Sequence, residues 1–277
     1  MYAPHLINGP SECLTLDNGV EVTYFELGQE NEEVMIFPGF YFYTFYSVAE
    51  ALAAKYHVYG IIMRFHGVET QVANGENQWH LQWGEDVYKF CQAKGLDKVH
   101  YFGKCHGSLP GWYLTKNHPE MLKTFCAYTL APHIYGVEDT TWITSLREDP
   151  AGSLRNSIRN PAKVPIKLHE VKMLGDDFSS PIIPKFGGYP EMYWNNDFEA
   201  LKKFLTEEIS VPVCYLFGSA DPLWHDYEKG NWWAIMNTKK ARTVVLEGER
   251  HLFECDTPKR LAWEAFNFIE WTKLADE

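Results

Sequence analysis

The chain has 277 residues, of which 45% are hydrophobic, so it is long enough for one large domain or for a core with an inserted subdomain. Its 25 basic and 37 acidic residues give a net charge of −12, which argues against a nucleic-acid-binding protein, because such proteins present a basic face. Residues 1–12 lack the apolar segment of a signal peptide, and no apolar run is long enough to span a bilayer. We therefore expect a cytoplasmic protein with neither membrane nor nucleic-acid partners.

Cysteine and histidine spacing bears on redox state and on metal binding. The six cysteines include no Cys-x-x-Cys pair, and without a secretory signal they are expected to be free thiols, most of them small core residues. The eleven histidines show no zinc-site spacing, and no glycine-rich nucleotide loop is present. The sequence therefore predicts neither a metal nor a cofactor.

Hydrophobic patterning predicts alternating strands and helices along most of the chain. Residues 13–27 read as a hairpin, because Asn18-Gly19 is a strong turn signal between two alternating segments. Continuous apolar runs predict strands that are buried on both faces, and a period of 3.6 residues predicts helices between them. The predicted strands are 34–37, 58–63, 98–102, 124–128, 211–217 and 243–246, and the predicted helices are 45–55, 79–94, 106–117 and 257–273.

Residues 132–208 depart from this rhythm, because prolines and scattered aromatic residues replace the strand–helix alternation. We interpret them as a cap, or lid, inserted over the sheet edge, which leaves 1–131 and 209–277 as the core. The alternation in the core predicts an α/β fold with a mostly parallel twisted sheet and helices on both faces. In such sheets the ligand site lies beyond the carboxyl ends of the strands.

The stretch Gly103-Lys104-Cys105-His106-Gly107 lies between a predicted strand and a predicted helix, and it has the form Gly-x-nucleophile-x-Gly with cysteine where serine is usual. Such a turn is tight and strained, and its glycines leave room for the backbone to fold back. The side chain of Cys105 then projects near the positive end of a helix, where a thiolate is favoured. The turn therefore predicts a nucleophilic cysteine.

Two further residues follow later strands, Asp221 within Gly218 to Pro222 and then His251. This order of nucleophile, acid and histidine resembles the α/β-hydrolase superfamily over nearly the whole chain, most weakly in 132–208. The resemblance implies that Cys105 is the nucleophile, that His251 is its base and that Asp221 orients the imidazole.

The resemblance also implies an oxyanion hole made by the backbone N–H groups of Phe40 and His106. Lys104 either lowers the pKa of the neighbouring thiol or is a solvated lysine. Aromatic and basic residues near the pocket mouth and in the cap are expected to contact substrate, namely Tyr41, Tyr43, Lys104, Trp142 and Trp194.

Some roles stay open at this point. Glu138 and Asp139 are alternative candidates for the acid. Where the superfamily often carries Asp-x-x-Gly-x-Gly, this chain has a loop with Arg64 and His66, which is either structural or functional.

A cysteine nucleophile forms a thioester, which passes its acyl group to amines and thiols more readily than an oxygen ester does. Within the superfamily, cysteine nucleophiles occur in dienelactone hydrolases, polyhydroxyalkanoate synthases and some thioesterase domains, and the length of this chain fits a small hydrolase best. We therefore expect a hydrolase of a small hydrophobic or aromatic ester, lactone or thioester. The alternatives are an acyltransferase with the same residues and a non-catalytic ligand-binding protein. The sequence leaves open the oligomeric state, a dimer included, and whether Cys105 replaces a natural serine.

Overall fold

A computed structural model describes residues 11–39, 46–63, 79–129, 131–132, 198–221, 228–249 and 257–275. These ranges contain eight strands in a single sheet and six α-helices. The strands are β1 Glu12–Thr15, β2 Glu21–Leu27, β3 Val34–Gly39, β4 His57–Ile62, β5 Val99–Lys104, β6 Leu122–Tyr128, β7 Val213–Gly218 and β8 Ala241–Leu246. The helices are α1 Tyr46–Leu52, α2 Trp79–Ala93, α3 Ser108–Asn117, α4 Phe198–Lys203, α5 Glu228–Asn237 and α6 Pro258–Ala275.

The strands lie in the order β1-β2-β4-β3-β5-β6-β7-β8. Strand β2 pairs antiparallel with both β1 and β4, whereas all the other neighbouring pairs are parallel. The predicted mostly parallel sheet is therefore confirmed. The parallel strands all end on the same side of the sheet. The predicted site residues lie in the segments that follow these carboxyl ends.

The predicted hairpin is confirmed as β1 and β2, in which Thr15 lies opposite Glu21. The Leu16 N–H donates to the Val20 carbonyl at 2.8 Å, and Gly19 in the turn has φ +80°. Glycine is suited to that position because it has no Cβ to clash in the left-handed region.

The core forms a layer on each face of the sheet, because successive strand residues point to opposite sides. One layer joins the sheet to α2 and α3 through Tyr101, Phe125, Tyr215, Trp83 and Trp112. The other layer joins it to α1 and α6 through Phe102, Cys126, Leu216, Leu52 and Phe268. Gly111 of α3 allows close helix–sheet packing, because an added Cβ would lie 2.5 Å from the Phe125 ring.

Helix α5 has no counterpart among the predicted elements. Its buried positions follow a helical spacing, but the stripe is half polar, which conceals it from a search for apolar periodicity. The buried residues are Asn231, Ala234, Ile235 and, just beyond the helix, Thr238.

The described end of the predicted cap, 198–208, comprises α4 and one turn of π-helix. Leu201, Phe204 and Leu205 are buried in the same layer as the sheet residues Phe125 and Tyr215. The chain therefore returns to the core before β7 begins, and the domain boundary stays a prediction. No helix in the described part of the chain combines the length and the hydropathy needed for a membrane span.

Candidate active site

The turn after β5 bends sharply at Cys105. Lys104 still has extended backbone angles, with φ −119° and ψ 130°, whereas Cys105 has φ +50°. A short 3₁₀ turn over Cys105–Gly107 then leads into α3. A left-handed conformation in a residue other than glycine costs about 1–2 kcal/mol, so the predicted strained bend is confirmed.

Both glycines of the turn are required by space. A Cβ on Gly103 would lie 2.5 Å from the Ser108 Cα, and one on Gly107 would lie 2.3 Å from the Pro38 carbonyl oxygen. Gly107 has an ordinary φ of −63°, so its need for glycine comes from the approach of β3 and not from its backbone angles. The turn therefore packs tightly between the start of α3 and the end of β3.

A buried tyrosine on β5 holds the turn through a hydrogen bond. The Tyr101 hydroxyl donates to the Gly107 carbonyl at 2.7 Å. Because Tyr101 lies on β5 four residues before Cys105, this bond ties the position of the bend to the sheet.

The Cys105 side chain is half-buried, and its Sγ lies 3.3 Å from Nδ1 of His106. The His106 ring in turn meets the Trp83 indole edge-on, with 6.4 Å between the ring centroids. Sequence reasoning assigned only the backbone of His106 a role, in the oxyanion hole, and the contact between its ring and the sulfur is a finding of the structure.

The other cysteines of the described residues lie away from this turn. All five described cysteines are free, and Cys91, Cys126 and Cys214 are buried as predicted. Cys13 is exposed on the edge strand β1, so it is not one of the core cysteines. Burial alone raises the pKa of the Cys91 thiol to about 12. Buried thiols of this kind are unreactive, which sets the half-buried Cys105 apart.

Lys104 is only 5% exposed, which excludes a solvated lysine. Its Nζ lies 5.4 Å from the centroid of the Tyr128 ring, and the two residues are paired across β5 and β6. The aromatic face favours a cation at this distance. The predicted contact of Lys104 with substrate stays a prediction.

Asp221 is fully buried just after β7. Its Oδ2 accepts a hydrogen bond from the Thr129 hydroxyl at 2.9 Å, and its backbone N–H donates to the Gly218 carbonyl at 3.1 Å. Burial raises the pKa of the Tyr128 phenol well above its ordinary value, and the negative charge of Asp221 adds to this effect. The carboxylate is therefore fixed at the carboxyl ends of β6 and β7.

Thr129 follows β6 directly and has φ +74°. Sequence reasoning missed it, since a threonine after a strand carries no signal of its own. A β-branched residue in the left-handed region is a true outlier. Its hydroxyl contact with Asp221 supplies a reason for the conformation.

The segment that leads to His251 runs beside the Asp221 turn. The Ala220 N–H donates to the Glu249 carbonyl at 2.9 Å, and a Cβ on Gly218 would lie 2.2 Å from that same oxygen. Glu249 is fully buried, and its charge also acts on Tyr128. The loops after β7 and β8 are thus in direct contact two residues before His251 in the sequence.

The structure brings Lys104, Cys105 and His106 together at one turn and holds Asp221 at the same edge of the sheet. The remaining predicted residues lie outside the described ranges, namely Phe40, Tyr41, Tyr43, Arg64, His66, Glu138, Asp139, Trp142, Trp194 and His251. Among the residues that the structure describes, no group of three or more His, Cys, Asp or Glu side chains is placed to hold a metal ion.

Comparison with known proteins supports the fold. The family described as alpha/beta hydrolase fold matches residues 34–134. No curated protein matches the sequence.

Several solved structures are similar over nearly the whole chain. A hydrolase from Pseudomonas aeruginosa PA01 is 15% identical with a TM-score of 0.67, and the match covers 95% of this chain and 99% of that one. Epoxide hydrolase A from Mycobacterium thermoresistibile is 17% identical with a TM-score of 0.67, over 94% and 98%. The esterase RhEst1 from Rhodococcus sp. ECU1013 is 18% identical with a TM-score of 0.66, over 94% and 98%. With the sheet order and the turn at Cys105, these similarities show that the chain has the α/β-hydrolase fold.

Proposed function

We propose that this protein is an acyl hydrolase that acts through an acyl-cysteine on residue 105. The observation that carries the proposal is the left-handed backbone of Cys105 at the turn between β5 and α3, which places a half-buried sulfur at the head of a helix. Strain of this kind collects at functional sites. The similar folds named as a hydrolase and an esterase support the reaction class.

In the proposed reaction the Cys105 sulfur attacks the carbonyl carbon of an ester, lactone or thioester. An S–C bond forms, the bond to the leaving group breaks, and the leaving group takes the proton that the thiol gave up. The backbone N–H groups of Phe40 and His106 stabilise the oxyanion. Water then attacks the acyl-cysteine and releases the acid, which restores the thiol.

His251 is the proposed base and Asp221 its carboxylate partner. The buried position of Asp221 and its bond from Thr129 support this role, because a carboxylate that orients an imidazole must itself be fixed. The contact between the Asp221 turn and Glu249 supports the pairing with His251, which follows two residues later.

An acyltransferase is the second candidate, and the cysteine itself favours it. A thioester at Cys105 reacts readily with amines and thiols, so a site that excludes water would transfer the acyl group. For both candidates we propose a small hydrophobic or aromatic acyl substrate, on the basis of the aromatic residues that the sequence places near the site.

The test is intact-mass spectrometry after mixing with p-nitrophenyl acetate and p-nitrophenyl benzoate. A hydrolase shows an adduct of one acyl group that disappears in water with continued release of p-nitrophenol. A transferase keeps the adduct until an amine or a thiol is added. If no adduct forms and the ligands only raise the melting temperature, both enzyme proposals are wrong and the protein is a binder.

Three variants make the assignment specific. Cys105→Ala should lower turnover about 10³-fold or more, because it removes the nucleophile. Cys13→Ala removes an exposed thiol on β1 and should leave turnover unchanged. Cys105→Ser separates the two candidates further, since a rise in hydrolysis would show that the cysteine disfavours attack by water.

A further inference from the structure

The His106 imidazole lies against the sulfur that the proposed function makes the nucleophile. The distance of 3.3 Å between Sγ and Nδ1 is that of a hydrogen bond to sulfur. The two residues are adjacent in sequence and lie in the strained bend where Cys105 has a positive φ. The contact is thus built into the turn and requires no distant loop.

The surroundings of His106 hold its ring in place. The Trp83 indole from α2 meets the imidazole at an interplanar angle of 90°. Residue 106 is half-buried, like the cysteine before it. A ring fixed beside a thiol can accept its proton, and cysteines paired with a histidine have pKa values far below the free value of about 8.5.

We propose that His106 is a catalytic residue, on the condition that Cys105 is the nucleophile. Its neutral imidazole carries a proton on Nε2 and accepts the Cys105 thiol proton on Nδ1. The S–H bond breaks, an N–H bond forms, and a thiolate–imidazolium pair results. On acylation this proton passes to the leaving group, so the step requires no outside reagent. This assignment replaces His251 as the base of the first step and leaves it the second step, in which His251 deprotonates water.

Other ionisable groups lie on the strands and loops around the turn. Lys104 on β5 places its ammonium over the ring of Tyr128, at the end of β6. Asp221, after β7, accepts the hydroxyl of Thr129. Helix α2 faces His106 with the uncharged Trp83. The His106 variants leave these residue types unchanged, so the comparison with wild type measures the effect of removing the imidazole.

The test measures how fast iodoacetamide alkylates Cys105 between pH 5.5 and pH 10. Trypsin cleavage after Lys104 and Lys116 gives the peptide 105–116, in which Cys105 is the only cysteine, so mass spectrometry of that peptide reports this residue alone. The variants are His106→Asn, which cannot take a proton, and His106→Phe, which keeps a ring against Trp83. The control is His118→Asn, at the far end of α3, where the His118 ring stacks on Tyr88 at 3.6 Å.

We expect both His106 variants to lower the alkylation rate at pH 6 by about tenfold or more, with rates that converge with wild type at pH 10, where a thiol of ordinary pKa is ionised without a partner. The His118→Asn control should follow the wild-type profile throughout. In single-turnover experiments with p-nitrophenyl acetate, His106→Asn should slow acylation, whereas His251→Asn should accumulate the acyl-enzyme.

The proposal is overturned if the His106 variants match wild type at every pH, or if only His251→Asn removes the reactivity at pH 6. It is also overturned if the rate falls equally at pH 6 and pH 10, because that result shows a purely structural role. Failure of the proposed function looks different, since wild-type protein would then form no acyl adduct at Cys105 whatever the His106 variants do.

Discussion

At the scale of single residues, backbone strain is concentrated next to the proposed chemistry. Cys105 and Thr129 are the residues other than glycine with positive φ in the described part of the chain. They follow the adjacent strands β5 and β6. One carries the sulfur and the other donates to Asp221. Two such costs, each about 1–2 kcal/mol, are tolerated where side chains must take fixed directions.

Gly107→Ala should damage the turn without any conflict of backbone angles. The new Cβ would lie 2.3 Å from the Pro38 carbonyl oxygen, so either β3 or the turn must shift, at about 1–3 kcal/mol. We expect ester turnover and Cys105 alkylation to fall at least tenfold, because shifts near 1 Å in an active site have effects of about 10²-fold.

Gly95→Ala is the matched control. Gly95 has φ +66° and no atoms within 4 Å of a built Cβ, so alanine there costs about 1–2 kcal/mol through its backbone alone. Urea denaturation should show losses of similar size for the two variants. If Gly107→Ala retains wild-type turnover, the turn does not depend on its contact with β3.

The bend at Cys105 was predictable because the pattern Gly-x-nucleophile-x-Gly stands between a strand and a helix, although the Pro38 carbonyl that requires Gly107 is distant in sequence. The contact between Cys105 and the His106 ring was not predictable, because it depends on the backbone and side-chain torsion angles of both residues. Thr129 was not predictable either, since its partner Asp221 is 92 residues away and only the pairing of β6 with β7 unites them.

At the scale of elements, strand β5 positions the turn through the hydrogen bond from Tyr101. All six residues of β5 are buried, so the strand itself is rigidly enclosed. Its last residues run directly into the bend, and the Tyr101 hydroxyl reaches forward to the Gly107 carbonyl. The strand, the turn and α3 therefore behave as one unit.

Tyr101→Phe should separate this positioning role from stability. It removes one buried hydrogen bond, at a cost of about 1–2 kcal/mol. Tyr215→Phe is the matched control, because that buried hydroxyl lies 2.7 Å from the Thr238 hydroxyl. We expect similar losses of unfolding free energy in both variants, but slower acylation only in Tyr101→Phe. Equal rates of acylation in the two variants would show that the bond to Gly107 only stabilises the fold.

The strands were the most predictable elements because parallel strands are buried on both faces and leave continuous apolar runs. Strand β7 shows this, with every residue enclosed. Helix α5 shows the opposite case, since its buried Asn231 carries no hydrophobic signal. The sequence therefore reveals elements whose burial is apolar and hides those whose buried face is partly polar.

At the scale of the whole molecule, the two ends of the parallel strands have different tasks. The proposed chemistry lies where the strands end, whereas a cluster of charges lies where they begin, around Glu33. Its carboxylate contacts Lys273 at 3.3 Å and Lys123 at 3.4 Å, with His100 Nε2 at 3.5 Å. Four strand residues lie between His100 and Cys105, which puts the two about 16 Å apart, so the two ends of the strands can be altered independently.

His100 should make the stability of the fold depend on pH. Burial lowers the pKa of His100 to about 4, and this effect outweighs the attraction of Glu33. Between pH 4 and about 6.5 the unfolded chain therefore binds more protons, so the free energy of unfolding falls as the pH falls, by at most about 1.4 kcal/mol per pH unit.

The variant His100→Asn cannot titrate at this position, but it retains a polar group for Thr124. In the wild-type protein the Thr124 hydroxyl lies 2.8 Å from Nδ1 of His100. We expect urea denaturation of this variant between pH 4.5 and 6.5 to show a shallower loss of stability than wild type. Ester turnover at pH 7.5 should be unchanged, because His100 lies near the start of β5 and Cys105 follows its end. Parallel stability curves for the two proteins would mean that His100 takes up its proton as readily in the native fold as in the unfolded chain. The acid sensitivity would then have to arise from other groups.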